Sequence, residues 1–69
     1  MITVTYNLAA VVEQKNLSLS ELARRVNVSK SYIWYVAHDQ VHPTLYMLVQ
    51  MAAVLEVPVE SLYTVRSIT

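Results

Sequence analysis

Leu17-Ser18-Leu19-Ser20-Glu21-Leu22-Ala23-Arg24-Arg25-Val26-Asn27-Val28-Ser29-Lys30-Ser31-Tyr32-Ile33-Trp34 is the stretch whose reading decides the fold. Ser18 precedes an apolar-periodic run, and Glu21 follows three residues later. That spacing predicts a capping box, in which the serine oxygen accepts one free helix N–H and the glutamate reaches back to another. Leu22, Ala23 and Val26 then share one helical face. Asn27 comes next, and asparagine stands in for glycine where a tight turn needs φ > 0. Ser29 is placed to cap a second helix that carries Ile33, Val36 and Ala37 inward.

Two capped helices a few residues apart, the second with polar residues in its first turn, make a helix-turn-helix. Working outward, Ile2 to Tyr6 alternates β-branched and aromatic residues and reads as a strand. Asn7 is expected to cap a first helix running to about Lys15, which Asn16 closes. After the motif, at about 18–37, His38 to Pro43 is a loop in which Asp39 takes the left-handed turn. Thr44 caps a further helix, Leu45 to Glu56, with Leu45, Leu48, Ala52 and Leu55 as its inward stripe. Pro58 opens a fifth, single-turn helix that brings Leu62 inward. Tyr63 to Thr69 alternates again as a second strand. Each terminal strand alone leaves both edges open; antiparallel pairing of the two closes one edge of each and leaves the other edges free to pair between subunits.

Sixty-nine residues make one expected domain, 1–69, that buries only about 60% of its unfolded surface. With no cysteine there is no disulfide framework and no cysteine zinc site. No apolar run is long enough to span a bilayer and no basic flank precedes one, so a soluble cytoplasmic protein without a membrane partner is expected. Five basic and five acidic residues cancel, although Lys15, Arg24, Arg25 and Lys30 gather in the first half, while Asp39, Glu56 and Glu60 lie outside the motif. The residues offer no enzymatic reading: no paired-carboxylate cleft, no cysteine nucleophile, no glycine for a phosphate loop, and no serine set beside a histidine base. No cofactor is expected. His38 and His42 lack a third ligand and read as loop histidines rather than a metal pair.

Leu17-Ser18, Leu22-Ala23, Val28-Ser29, Ile33, Pro43, Leu48, Ala52, Leu55-Glu56-Val57 and Leu62 stand at a familiar spacing. From about Leu8 to Leu62 the chain resembles the Cro/phage-repressor-like (XRE-type) helix-turn-helix domain. The resemblance implies an all-α, compact five-helix lambda-repressor-like fold, here with the two terminal strands added. It further implies a sequence-specific transcription regulator of bacterial or phage type. Such a protein binds double-stranded DNA as a homodimer on a palindromic operator, in the nucleoid, with the second motif helix in the major groove. The sequence departs from the family at Leu19, where glutamine is common, and at Asn27 and Asp39, where glycine is usual. Val12 and Ala37 replace an arginine and a glutamate that often pair. Losing both charges together avoids burying one of them alone.

On the second motif helix the outward positions are Lys30, Ser31, Trp34 and Tyr35. By the resemblance Lys30, Ser31 and Tyr35 face base edges, with Lys30 donating to guanine O6 and N7 and Tyr35 packing on a thymine methyl or bonding a phosphate. The plainer reading of Lys30 is a solvated lysine. Trp34 has three readings side by side: a wedge along the sugar backbone, an anchor for a protein partner, or a lid on the core near the Pro43 loop. Arg24 and Arg25 either meet phosphates or face solvent. Ser18 and Ser29 cap their helices and bring hydroxyls and helix N-termini toward the DNA backbone. The helix after Thr44 is apolar all round, and so small a domain cannot bury both sides. Its far side, Tyr46, Val49, Gln50 and Ala53, is therefore expected to be a dimer or partner interface, and a dimer is expected to use this face, the terminal strands, or both. A second function stands beside the first: a protein-interaction module, antirepressor or accessory protein, that meets its partner through Trp34 or helix four.

Overall fold

In the computed structural model, which describes residues 1–67, β1 (Ile2–Tyr6) leads into α1 (Leu8–Gln14), α2 (Leu19–Val26), α3 (Lys30–Ala37) and α4 (Leu45–Leu55). A 3-10 turn, Val59–Leu62, then feeds β2 (Tyr63–Ser67). Ile68 and Thr69, expected in the second strand, lie outside the described residues. Three hydroxyls set where helices begin. Ser18 Oγ accepts from the Glu21 amide, Ser29 Oγ from the Tyr32 amide and Thr44 Oγ1 from the Met47 amide, each at 3.1 Å. Each bond satisfies a helix N–H that has no partner within its own helix.

The described residues hold four α-helices rather than five. Between extended Pro58 (ψ 145) and extended Tyr63 (ψ 158) the chain winds as a 3-10 helix with i→i+3 bonds, among them the Ser61 amide to the Pro58 carbonyl at 2.9 Å. A turn that short is 3-10 by construction. Asn7 makes no side-chain cap either. Its Nδ2 donates instead to Thr64 Oγ1 at 3.1 Å and to the Ser61 carbonyl at 3.4 Å, tying the start of α1 to the far end of the chain.

The core takes Leu8, Val11 and Val12 from α1, Leu22 and Ala23 from α2, Ile33 and Val36 from α3, and Leu62 from the 3-10 turn. From α4 it takes Met51, Ala52 and Leu55. Leu45, expected inward, is 71% exposed. The true stripe starts one turn later, at half-buried Leu48, and Met51 completes its i, i+3, i+4, i+7 spacing. Because α4 is apolar at almost every position, periodicity alone could not choose its face. Packing against α2 and the 3-10 turn chooses it.

Left-handed residues end the helices and turn the loop: Asn16, Asn27, Asp39 and Glu56, with φ between 57° and 60°. Asn27 and Asp39 were expected there. Glu56, expected inside the helix, is instead its cap.

β1 and β2 pair antiparallel, from Ile2 opposite Ser67 to Tyr6 opposite Tyr63. The Asn7 amide continues the ladder by donating to the Leu62 carbonyl at 2.9 Å. Alternation therefore turns the backbone groups of Thr3 and Thr5 toward β2, and those of Ile2, Val4 and Tyr6 outward. The outward Tyr6 amide donates to Asp39 Oδ1 at 2.8 Å, and the Tyr6 hydroxyl and His42 Nδ1 hydrogen bond at 2.8 Å. Burial first, then the Asp39 charge and Tyr32, raises the Tyr6 phenol above its ordinary value. Ribbon and α3–α4 loop are thus joined. The ribbon's far end is bare, with Ile2 and Val65 both exposed. Among the described residues no helix is long and apolar enough to cross a membrane.

Candidate nucleic-acid interface

The motif's second helix turns Ile33 and Val36 fully into the core. A 100° step per residue then forces Lys30, Ser31, Trp34 and Tyr35 onto the opposite side. These four residues line one open depression of about 290 Å³. The grouping expected from the sequence is therefore a contiguous surface, with one cation, one hydroxyl and two aromatic rings.

The aromatic part is held in place. Trp34 stacks on His38 with centroids 3.9 Å apart and planes 16° from parallel. His38 Nδ1–H donates to the Trp34 carbonyl at 2.9 Å, which fixes the imidazole beneath the indole. Tyr35 meets the indole edge-on at 5.4 Å and 85°. Both Trp34 and Tyr35 remain about half exposed. Trp34 is not among the residues packed against the core, and its aromatic contacts are with its own helix and the residue that caps it. From the sequence His38 reads as a loop histidine, yet its i+4 spacing from Trp34 is the signal for this stacking.

The N-terminal ends of α2 and α3 each carry a serine whose oxygen already serves as a cap. Each hydroxyl keeps its own proton to donate. Unpaired amides and the helix dipole make both ends favourable to anions.

Glu21 behaves differently from the expected capping box. Its carboxylate does not reach back to the Ser18 amide but accepts from Arg24 Nε at 3.2 Å and Arg24 Nη2 at 2.7 Å. Arg25 Nη2 lies 3.5 Å from the same carboxylate. Arginine forks suit a carboxylate in this two-pronged way. The Arg24 hydrogen bond, followed by the charges of Arg24 and Arg25, lowers the Glu21 carboxyl below its ordinary value, and the same bond raises the Arg24 guanidinium. Two cations are shared with one anion. Lys30, by contrast, makes no ion pair among the described residues.

The far side of α4 is a separate surface. Tyr46 is 70% exposed and Val49 49%, Ala53 is exposed, and Gln50 Nε2 donates to the Tyr46 hydroxyl at 2.6 Å. Leu45 adds to the exposed apolar surface of this helix.

A family model described as helix-turn-helix matches residues 8–62. No curated protein matches the chain. Among solved structures, the crystal structure of a candidate DNA-binding protein from Bacteroides fragilis is similar in fold, with a TM-score of 0.86 at 24% identity. The match covers 90% of this chain and 100% of that one.

Proposed function

This chain belongs to the Cro/C1-type helix-turn-helix family, and on that premise we propose that it is a sequence-specific DNA-binding regulator of transcription. It acts as a homodimer on a palindromic operator, in the cytoplasm of a bacterium or of a phage-infected cell. The observation that carries this reading is the continuous face of Lys30, Ser31, Trp34 and Tyr35 on the motif's second helix. Set in the major groove, Lys30 donates to guanine O6 and N7, Ser31 bonds a neighbouring base, and Tyr35 packs on a thymine methyl. Ser18 and Ser29 offer hydroxyls and helix N-termini to phosphates. Arg24 and Arg25 reach the backbone by leaving or sharing Glu21. Two recognition helices of a dimer need a separation of about 34 Å to enter successive turns of the groove.

The test is selection from random duplex DNA at low and moderate salt, with Lys30→Ala and Tyr35→Ala beside the wild type. Wild type should enrich a two-fold-symmetric site, and each substitution should cost about 1–3 kcal/mol and relax preference at its own base. Absence of binding at low salt sinks the reading.

The exposed Leu45, Tyr46 and Val49 favour a second reading, a protein-interaction module on the same fold, such as an antirepressor. Salt separates the two: phosphate contacts weaken steeply as salt rises, and an apolar interface barely responds.

A further inference from the structure

We propose that the outer edge of β1 is the seat of a second copy of this chain, joined strand to strand so that two ribbons become one four-stranded antiparallel sheet. The inference rests on the dimer proposed above and names its interface.

Four observations carry it. First, backbone direction is settled twice over: Asn7 donates to Leu62 along the ladder, and Tyr6 donates away from it to Asp39. Ile2 and Val4 therefore point their N–H and C=O groups outward, where no hydrogen bond meets them among the described residues. Second, that edge is a groove of about 480 Å³, lined by Ile2, Thr3, Val4 and Thr5 with Asp39 and His42. Third, β1 carries no charged residue, so an identical strand meets no repulsion there, whereas β2 carries Arg66. Fourth, Ile2, Val4 and Val65 lie on one face of the ribbon by alternation and register. Ile2 and Val65 are bare there, and a two-stranded sheet is marginal until further strands extend it.

Asp39 also selects the register. Two identical strands pair about a two-fold axis, and outward groups must meet outward groups. An axis at Val4 would set Ile2 against Tyr6 of the second copy, but the Tyr6 amide is already given to Asp39. An axis at Thr3 sets Ile2 against Val4 of the second copy, and Val4 against its Ile2, using only free groups. The Asp39 carboxylate stops the pairing there. This register extends the apolar face as Val65, Val4 and the second copy's Ile2, a row of β-branched neighbours. It also brings the two Thr3 residues opposite each other as a non-hydrogen-bonded pair, with Cα atoms about 4.5 Å apart.

That spacing lies within disulfide range, about 4.4–6.8 Å between Cα atoms, and the chain has no cysteine of its own. The experiment oxidises full-length Thr3→Cys and Thr5→Cys, and measures mass by sedimentation for wild type, Val4→Pro and Val49→Lys, both free and on the selected duplex. Circular dichroism checks each fold. Proline at position 4 removes an outward N–H and spares the ladder to β2. The expected result is a dimer in which Thr3→Cys cross-links at least tenfold faster than Thr5→Cys, and in which Val4→Pro is monomeric while Val49→Lys is not. A dimer broken by Val49→Lys and untouched at positions 3 and 4 overturns the β1 seat but keeps the dimer, moving it to α4. A monomer both in solution and on DNA overturns both. Should Val4→Pro fail to fold, the ratio of the two cysteine rates decides alone.

Discussion

The Asp39 carboxylate accepts the Tyr6 amide at 2.8 Å across 33 residues of sequence, from a backbone held at φ 58°. One residue thus turns the chain after the recognition helix and pins the N-terminal strand beside it. Alanine loses both the tolerance for a left-handed backbone and the acceptor, and should cost about 1–3 kcal/mol in urea unfolding. Asparagine keeps both and should cost less than about 1 kcal/mol. Faster amide exchange at Tyr6 in Asp39→Ala, and little change in Asp39→Asn, checks the mechanism.

Glu21 gives a pH prediction. Its carboxyl is lowered in the folded protein, chiefly by the Arg24 hydrogen bond. A depressed folded value contributes stability above the unfolded value, near 4.5, and loses it as pH falls through the folded one. Glu21→Gln should therefore lower the melting temperature at neutral pH, and the gap from wild type should close below pH 4.5. The same substitution frees Arg24 and Arg25. Its affinity for non-specific duplex should rise, and its salt dependence should steepen by roughly one to two phosphate contacts. Unchanged salt dependence would mean that neither arginine reaches the DNA.

Trp34 is the chain's one tryptophan, so its emission reports on the reading face directly. His38→Ala removes the stacked imidazole and should change emission at a stability cost of about 1 kcal/mol or less. Adding the selected duplex should quench wild-type emission as bases or sugars cover the indole. Tight binding that leaves the emission untouched would place the DNA on some other surface.

Leu62 and Leu45 make a matched pair. Leu62 is 1% exposed although it sits in a 3-10 turn, and Leu45 is 71% exposed although it sits in a helix. Leu62→Ala should cost about 2–5 kcal/mol, against a total of roughly 3–10 kcal/mol for a chain of this length. Leu45→Ala should stay within about 0.5 kcal/mol. Urea unfolding of the two variants side by side measures the difference.

The helices were legible because their signals are local. Ser18, Ser29 and Thr44 announce α2, α3 and α4 a few residues before each begins, and Ile33 with Val36 fixes which side of α3 must face out. The group Lys30, Ser31, Trp34 and Tyr35 followed from that spacing alone. What escaped depended on neighbours distant in sequence or on rival partners. Asn7 resembles a cap, but Thr64 and Ser61 compete for its amide. Glu21 sits correctly for a capping box, but two arginines one turn away are stronger partners than one amide. The face of α4 was ambiguous because Leu45 and Met51 are equally apolar, and only the packing of α2 and the 3-10 turn prefers Met51. The bond from Tyr6 to Asp39 has no local signature.

Four left-handed residues occur among the described residues of a chain without a single glycine. Asparagine and aspartate bear that conformation readily, and Glu56 bears it less well, at a cost of about 1–2 kcal/mol. The compensation lies outside the native structure. Glycine at these corners would widen the range of shapes open to the denatured chain, and every shape added there must be given up on folding. A glycine-free backbone begins with fewer alternatives to surrender. Part of this small protein's resistance to unfolding is therefore written in the unfolded ensemble, where no contact of the folded molecule can reveal it.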